Sequence, residues 1–158
     1  MKKLAVLYYS RGGNTRKMAE FVLGGARQIS GVEASISDIC EFPAEKALDY
    51  DGLVIGSPTY YGSMSWEVKK FFDDSVAFHG KFSGKVGGAF SSSANIGGGN
   101  ETTIMDILKA MLVHGMIVRG TEKGDHYGAV SVGAPDGRVE KQCRELGRRV
   151  AELTVKVA

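Results

Sequence analysis

Residues 4–20 of this chain read LAVLYYSRGGNTRKMAE and contain three kinds of sequence in succession. The apolar run at positions 4–7 is typical of a buried strand. Two glycines, Gly12 and Gly13, then turn the chain among small polar neighbours. From Asn14 or Thr15 onward, apolar residues recur at positions 18, 19, 22 and 23, which is the spacing of an amphipathic helix. The stretch therefore predicts a strand, a turn and a helix.

A helix that begins directly after such a turn can bind an anion. Its first N–H groups have no partner within the helix, and the helix dipole adds partial positive charge there. The two glycines let the backbone come close to a ligand, while Ser10, Asn14 and Thr15 supply short side-chain donors that suit a phosphate. The same residues also fit an ordinary strand-to-helix loop. Neither the dinucleotide pattern G-x-G-x-x-G nor the P-loop pattern with its lysine is present.

The length and charge of the chain limit the classes of protein to consider. Its 158 residues are enough for one domain, residues 1–158, to bury a core without disulfide or metal support. The 20 lysines and arginines against 18 aspartates and glutamates leave a balance of +2, too small to favour a nucleic-acid or membrane partner. Cys40 and Cys143 lie far apart without metal-ligand spacing. We expect reduced thiols, no metal site, no membrane span and a cytoplasmic protein.

Strand-like and helix-like patterns alternate along the whole sequence, as in a parallel sheet with crossover helices. We expect five strands, near residues 3–9, 33–38, 52–57, 85–91 and 116–119, the last with a neighbour at 129–132. We expect helices at 15–30, 65–76, 101–114 and 138–155, and at most a short one at 42–49. The first, third and fourth strands are nearly all apolar and should be central. The fold class is therefore α/β, a doubly wound five-stranded parallel sheet with helices on both faces.

The loop after the third strand contains two adjacent aromatic residues. In doubly wound sheets, ligands bind outside the carboxyl ends of the strands, so the loops after strands one, three and four are the candidates. Pro58 should end the third strand and Gly62 permits a tight turn. Tyr60 and Tyr61 would offer flat surfaces on which an aromatic ligand could stack, or they pack on neighbouring helices. Trp66 begins a helically spaced apolar set and fits the core better than a cofactor site.

The loop after the fourth strand, SSSANIGGGNET at residues 91–102, is rich in glycine. A run of three glycines occurs where the backbone must approach something closely or flex, so either a ligand floor or a surface hinge is expected. Asn100 should cap the helix that follows. Together the three loops would supply a turn that binds a phosphate, aromatic side chains that could stack on a ligand, and backbone groups that a ligand could approach closely. A flat heteroaromatic phosphate monoester fits this combination.

Five segments carry a family resemblance: YYSRGGNT, GSPTYYGSMSWEVKKFFDD, GGGNETTI, LVHGM and HYGAVSV. They resemble the flavodoxin-like family and, within it, the WrbA-type NAD(P)H:quinone oxidoreductases, over nearly the whole chain. The resemblance implies a flavodoxin-like sheet with strand order 2-1-3-4-5 and FMN as cofactor. Family members often pair, so a homodimer is also expected. The segments 38–50 and 120–127 are much shorter than in the WrbA-type enzymes.

The resemblance also assigns roles to individual residues. Those implied to hold the FMN phosphate are Ser10, Arg11, Gly12, Gly13, Asn14 and Thr15. Those implied to line the isoalloxazine ring are Pro58, Thr59, Tyr60, Tyr61 and Gly62. Those implied to contact the pyrimidine side of the ring through backbone groups are Ser91, Ser92, Ser93, Ala94, Asn95, Gly97, Gly98 and Gly99. His126 is implied to reach the cofactor from the stretch after the last loop, and His114 to be catalytic, in a pocket where nicotinamide or quinone stacks on the flavin.

The residues identified so far are compatible with two functions. The protein is either a carrier that passes electrons to partner proteins or an oxidoreductase that takes hydride from NAD(P)H and reduces a quinone. Residues 8–15, 57–65 and 91–100 contain no carboxylate, so we expect a less negative two-electron potential than in acidic flavodoxins, which favours hydride acceptance. His114 could orient the acceptor or donate a proton, or it could simply favour the dipole at a helix end. A sensing module that has lost the flavin is a third reading, against which the intact glycines argue.

Overall fold

A computed structural model describes residues 1–157 of the chain. Its strands are β1 (Lys2–Tyr8), β2 (Val32–Asp38), β3 (Gly52–Tyr60), β4 (Ser63–Met64), β5 (Val86–Ser93), β6 (Ile117–Val118) and β7 (Val130–Val132). Its helices are α1 (Asn14–Ala26), α2 (Trp66–Asp74), α3 (Asn100–Val113) and α4 (Gly137–Lys156), with short 3-10 helices at Ile39–Glu41, Ala44–Asp49 and Ser75–Phe78. None of these helices is long and apolar enough to cross a membrane.

The parallel sheet has the order β2-β1-β3-β5-β6, which confirms the predicted doubly wound topology. The expected fifth strand is two short strands, because β6 pairs with the beginning of β5 and β7 pairs with its end. Between β6 and β7 the chain is not paired with β5. Asp125 of this connection accepts a hydrogen bond from the N–H of Val130 and forms an ion pair with Arg138. With the antiparallel β4, seven strands form instead of five.

Strand β3 continues through Pro58 to Tyr60, so the expectation that proline ends this strand is wrong. Its neighbour β1 stops at Tyr8, which pairs with Gly56. Beyond Gly56, β3 is paired in parallel only with β5, where Pro58 lies opposite Ser92. The missing proline N–H is therefore tolerated on the open side of the strand. The extra length carries the chain into a hairpin with β4.

Two apolar cores, one on each face of the sheet, hold the helices in place. Side chains of successive strand residues point to opposite faces, so Val6 packs with α1 and α4 while Leu7 packs with α2 and α3. Helices α1 and α4 touch backbone to backbone. A Cβ added at Gly147 would lie 1.9 Å from the carbonyl oxygen of Val22, and one added at Gly25 would lie 2.0 Å from that of Arg144. Glycine at both positions permits this approach.

Candidate functional site

The loop between β1 and α1 provides no side-chain cap for the start of the helix. Gly13 is the N-cap residue, with φ +99°, and no side chain caps α1, whose first turn contains no acidic residue. The N–H of Gly13 donates to Oγ of Ser10 at 3.0 Å, which closes the turn. Arg11 and Gly12 are exposed, and a Cβ at Gly12 or Gly13 would meet no atom within 4 Å. The first N–H groups of α1 therefore face an open, electropositive position suited to an anion.

Buried hydroxyl groups tie the three loops together below the surface. Thr15 Oγ1 lies 2.8 Å from Oγ of Ser92, which joins α1 to the end of β5. Thr59 Oγ1 lies 2.9 Å from Oγ of Ser91 and accepts from Thr103 Oγ1 at 3.0 Å, which joins β3, β5 and α3. The structure thus brings the loops after β1, β3 and β5 to one edge of the sheet. Because these serine side chains are buried, the loop after β5 can offer a ligand only backbone and the residues beyond Ser93.

The hairpin between β3 and β4 places its aromatic residues in solvent. Tyr61 and Gly62 form a two-residue turn with φ values of +49° and +75°, as a type I′ hairpin requires. Tyr61 is fully exposed and Tyr60 is 38% exposed, so packing on the helices does not account for these residues. Thr102 Oγ1 donates to the carbonyl of Gly62 at 2.6 Å. A Cβ at Gly99 would lie 2.7 Å from the Cα of Gly62, so the hairpin tip rests directly on the start of α3.

The glycine-rich loop after β5 presents backbone to solvent. Ala94, Asn95, Gly97 and Gly98 are exposed, and the N–H of Gly98 donates to the carbonyl of Asn95 at 3.1 Å. These groups lie beside the hairpin tip and close to the first loop. A flat ligand at this edge could therefore approach main-chain donors and acceptors beside the exposed side chains of Asn95 and Ile96.

Asn100 does not cap α3, which corrects the sequence-based expectation. It is the first residue of the helix, and Gly99, with φ +111°, takes the N-cap position. The Asn100 amide group points into the protein instead and donates to Ser93 Oγ at 2.9 Å and to the carbonyl of Ser131 at 3.2 Å. Asn100 therefore fixes the end of β5 to β7.

His126 lies in the connection between β6 and β7. This connection runs along the outside of β5, because a Cβ at Gly128 would lie 2.0 Å from the carbonyl oxygen of Ala89. The His126 side chain is exposed and its Nδ1 lies 2.9 Å from the carbonyl of Thr121 in the same connection. Among residues 1–157, no hydrogen bond joins His126 to the three loops.

His114 lies at the opposite edge of the sheet from the three loops, so the catalytic role expected for it finds no support within one chain. It follows α3, which runs back toward β6 and the beginning of β5. Ser75 Oγ donates to the carbonyl of Phe72, so His114 Nε2 is the donor in its 2.7 Å contact with that hydroxyl. Burial and the neighbouring His79 lower the pKa of His114. It is a buried histidine at a helix end.

A cavity of about 600 Å³ beside the first loop was missed by sequence reasoning. It is lined by Tyr9, which precedes Ser10, and by Trp66 and Glu67 at the start of α2. Trp66 is 68% exposed, so its assignment to the core was wrong, although Phe71 and Phe72 of the same helix are buried. Burial and the Glu67 carboxylate raise the pKa of Tyr9. The sequence feature that could have indicated this cavity is the position of Trp66 in the first helical turn after the hairpin.

Comparison with known proteins gives a consistent set of relatives. The family model for NADPH-dependent FMN reductase matches residues 3–126. A flavodoxin from Aquifex aeolicus is 46% identical over 160 residues, covering 96% of this chain and 86% of that protein. An NAD(P)H dehydrogenase (quinone) from Archaeoglobus fulgidus is 32% identical over 191 residues, covering 99% of this chain and 100% of that protein.

A solved structure has the same architecture over its full length. The flavodoxin, WrbA-like protein from Agrobacterium tumefaciens superposes with a TM-score of 0.83 at 27% identity, covering 100% of both chains. The chain belongs to the family described by the NADPH-dependent FMN reductase model and is a flavodoxin-like protein close to the WrbA type.

Proposed function

We propose that this chain is an FMN-binding redox protein that transfers electrons through its bound flavin. The observation that carries the proposal is the uncapped, acid-free start of α1, which Thr15 and Ser92 tie to the glycine-rich loop after β5. The names of the relatives, flavodoxin and NAD(P)H dehydrogenase (quinone), support it. Bound FMN would supply the redox chemistry, and the protein would supply binding, orientation and electrostatic environment.

The residues present fit FMN at both of its ends. The open turn around Gly12 and Gly13 and the positive end of α1 suit the phosphate, with Ser10 at the side of the turn and Thr15 buried beneath it. The exposed tyrosines of the hairpin and the exposed backbone of residues 94–99 suit a flat ring. Arg11 is the one cation in the three loops and would add to the attraction for the phosphate.

Titration of flavin into the flavin-free protein tests this proposal. We expect FMN to bind with one molecule per chain and with quenched fluorescence. Riboflavin should bind far more weakly, because it lacks the phosphate that the start of α1 would hold. Equal affinity for the two flavins, or no binding of either, would show that the first loop does not serve this purpose.

The alternative function is an NAD(P)H:quinone oxidoreductase. The absence of carboxylates from the three loops favours it. Of the acids close to these loops, Glu67 and Glu101 lie in the first turns of α2 and α3, and Asp106, which accepts a hydrogen bond from Ser63 at 2.6 Å, is paired with Lys109. Because no negative charge in these loops would oppose reduction, we expect a moderate two-electron potential. The cavity beside Tyr9 offers space next to the first loop for a second small molecule. Its partners would be NAD(P)H and a quinone rather than redox proteins.

An anaerobic titration of the FMN-loaded protein with NADH and then NADPH separates the two functions. Loss of the flavin absorption band within seconds, followed by its return on adding a quinone, is the result expected of the oxidoreductase. An unchanged band with both nucleotides, although dithionite still bleaches it, is the result expected of a carrier. The search would then turn to partner proteins.

Removing the hydroxyl of Thr102 should weaken FMN binding. In Thr102→Val the carbonyl of Gly62 loses its hydrogen bond, which is worth about 1 kcal/mol. The hairpin tip should then become less ordered, and we expect the dissociation constant for FMN to rise about fivefold in a fluorescence titration. Thr102→Ser keeps the hydroxyl and should bind FMN like the original protein. Equal affinities of the valine and serine variants would contradict this role.

We also propose a reducing, cytoplasmic environment, because both cysteines are free thiols. Cys143 lies on the buried face of α4, and burial raises its pKa to about 12, so it should be unreactive. We also propose a homodimer on the basis of the family resemblance. A measurement of the molar mass in solution tests this proposal.

A further inference from the structure

Helix α4 buries one charged side chain along with its apolar residues. Arg149 is only 6% exposed. Within residues 1–157, its side chain takes part in no hydrogen bond and no ion pair, and its Nε is fully buried without a partner. An arginine stays protonated even where burial lowers its pKa, as it does here. The protein therefore holds a largely buried positive charge on which Glu145 and Glu122 act electrostatically without a direct hydrogen bond or ion pair.

The lack of a direct partner for Arg149 is unusual, as the preceding arginine shows. Arg148 binds Glu145 at 2.7 Å and also contacts Glu152, so its charge is paired on both sides. A buried charge without a partner costs far more free energy than a paired or solvated one. An anion in direct contact with the guanidinium group would therefore stabilise Arg149 further.

Arg149 lines a cavity of about 540 Å³ between α4 and the segment 119–124. Five basic side chains surround this cavity: Arg119, Lys123, Lys141, Arg148 and Arg149. Three acidic side chains also line it, namely Glu122, Glu145 and Glu152, of which the last two are engaged by Arg148. With five basic and three acidic side chains, the lining carries a net charge of +2. We call this space the Arg149 cavity.

The Arg149 cavity is separate from the candidate flavin site. Its walls are the middle of α4, from Lys141 to Glu152, and the segment that directly follows β6. Strand β6 pairs with Val86 and Gly87 at the beginning of β5, whereas the candidate flavin loops follow the other end of that strand. The lining therefore includes none of the residues expected to hold FMN.

We propose that the Arg149 cavity binds a small-molecule oxyanion, a phosphate ester or a carboxylate, with Arg149 as its central contact. The planar guanidinium group matches the paired oxygens of such anions. The volume lies within the range of about 300–1,000 Å³ typical of small-molecule sites, so the anionic group belongs to an organic molecule. The other lysines and arginines would attract the ligand from solvent.

Thermal unfolding with defined anions tests the proposal. The protein is first saturated with FMN so that the first loop is filled, and its melting temperature is then followed in sodium phosphate, sodium citrate or sodium chloride at equal ionic strength. Phosphate or citrate should raise the melting temperature in a saturable way, while chloride should not. A larger effect of phosphate would indicate a phosphate ester, and a larger effect of citrate a carboxylate. Equal melting temperatures in all three salts would overturn the proposal.

Substitution of Arg149 separates this cavity from any other anion site. Arg149→Met removes the charge but keeps an unbranched apolar side chain, so in chloride the variant should be at least as stable as the original protein. Its response to phosphate and citrate should fall at least tenfold in apparent affinity. Arg27→Gln, at an exposed position beyond the end of α1, should respond like the original protein. An undiminished response of Arg149→Met would overturn the proposal, whether or not FMN is bound.

A second variant keeps the test decisive if the methionine variant folds poorly. Arg119 is exposed on the outer wall of the cavity, so Arg119→Gln should leave the fold intact. We expect it to weaken the phosphate or citrate response severalfold, because one of the positive charges around the ligand is lost. The same affinity as in the original protein would contradict the assigned site.

Discussion

Replacing Asn14 by aspartate should weaken FMN binding about a thousandfold while leaving riboflavin binding nearly unchanged. Asn14 is the first residue of α1, beside the open turn that we assign to the phosphate. A carboxylate about 4 Å from a phosphate charge costs about 4 kcal/mol at an effective dielectric constant of 20, which corresponds to a factor of roughly a thousand. Fluorescence titrations of the two flavins against the flavin-free variant measure the effect.

The same substitution should make the flavin-free protein more stable, not less. The first turn of α1 contains no acidic residue, so aspartate there would interact favourably with the helix dipole by about 0.3–1 kcal/mol. Urea unfolding would therefore move in the opposite direction from FMN affinity. Asn14→Ser, which is neutral and small, should bind FMN within a few-fold of the original protein. A similar loss for riboflavin and FMN would show that the phosphate is held elsewhere.

Replacing Gly147 by alanine should destabilise the protein by about 3 kcal/mol, although alanine is the better helix former by about 1 kcal/mol. The added Cβ would lie 1.9 Å from the carbonyl oxygen of Val22, a backbone atom of α1. Neither helix can move away cheaply, because both pack on the same face of the sheet. A loss of this size is a large part of the 5–15 kcal/mol that stabilises a typical domain. Urea unfolding followed by circular dichroism measures it.

Gly137→Ala is the matched control for that prediction. It lies in the same helix, at its first position, and a Cβ there would meet no atom within 4 Å. Its stability should be unchanged or slightly higher. If Gly147→Ala were as stable as Gly137→Ala, the two helices would have to lie farther apart than the structure shows.

The parallel core of the fold could be predicted because its signals are local. The apolar run at positions 4–7 and the turn at Gly12 and Gly13 mark a buried strand and a helix start without any tertiary information. The extension of β3 past Pro58 could not be predicted, since it depends on where β1 stops. The division of the last strand depends likewise on contacts that Asp125 makes with Val130 of β7 and Arg138 of α4.

The candidate site was predictable as a set of loops but not in its supporting contacts. Thr102 is an ordinary helix residue in the sequence, and only the hairpin tip beside it gives its hydroxyl a partner. His114 lies at the edge opposite the three loops, a placement that a matching motif does not reveal. Its position after a helix of 14 residues, about 20 Å in length, already indicated the far edge.

The interrupted outer strand of the sheet has a consequence for behaviour at high concentration. A long, continuous edge strand exposes a row of N–H and C=O groups with which another chain can pair, and such pairing leads to aggregation. Here the edge beside β5 consists of a two-residue strand and a three-residue strand with an irregular connection between them. Neither piece is long enough to seed an intermolecular sheet, so this side of the molecule should resist fibre formation when the protein is concentrated.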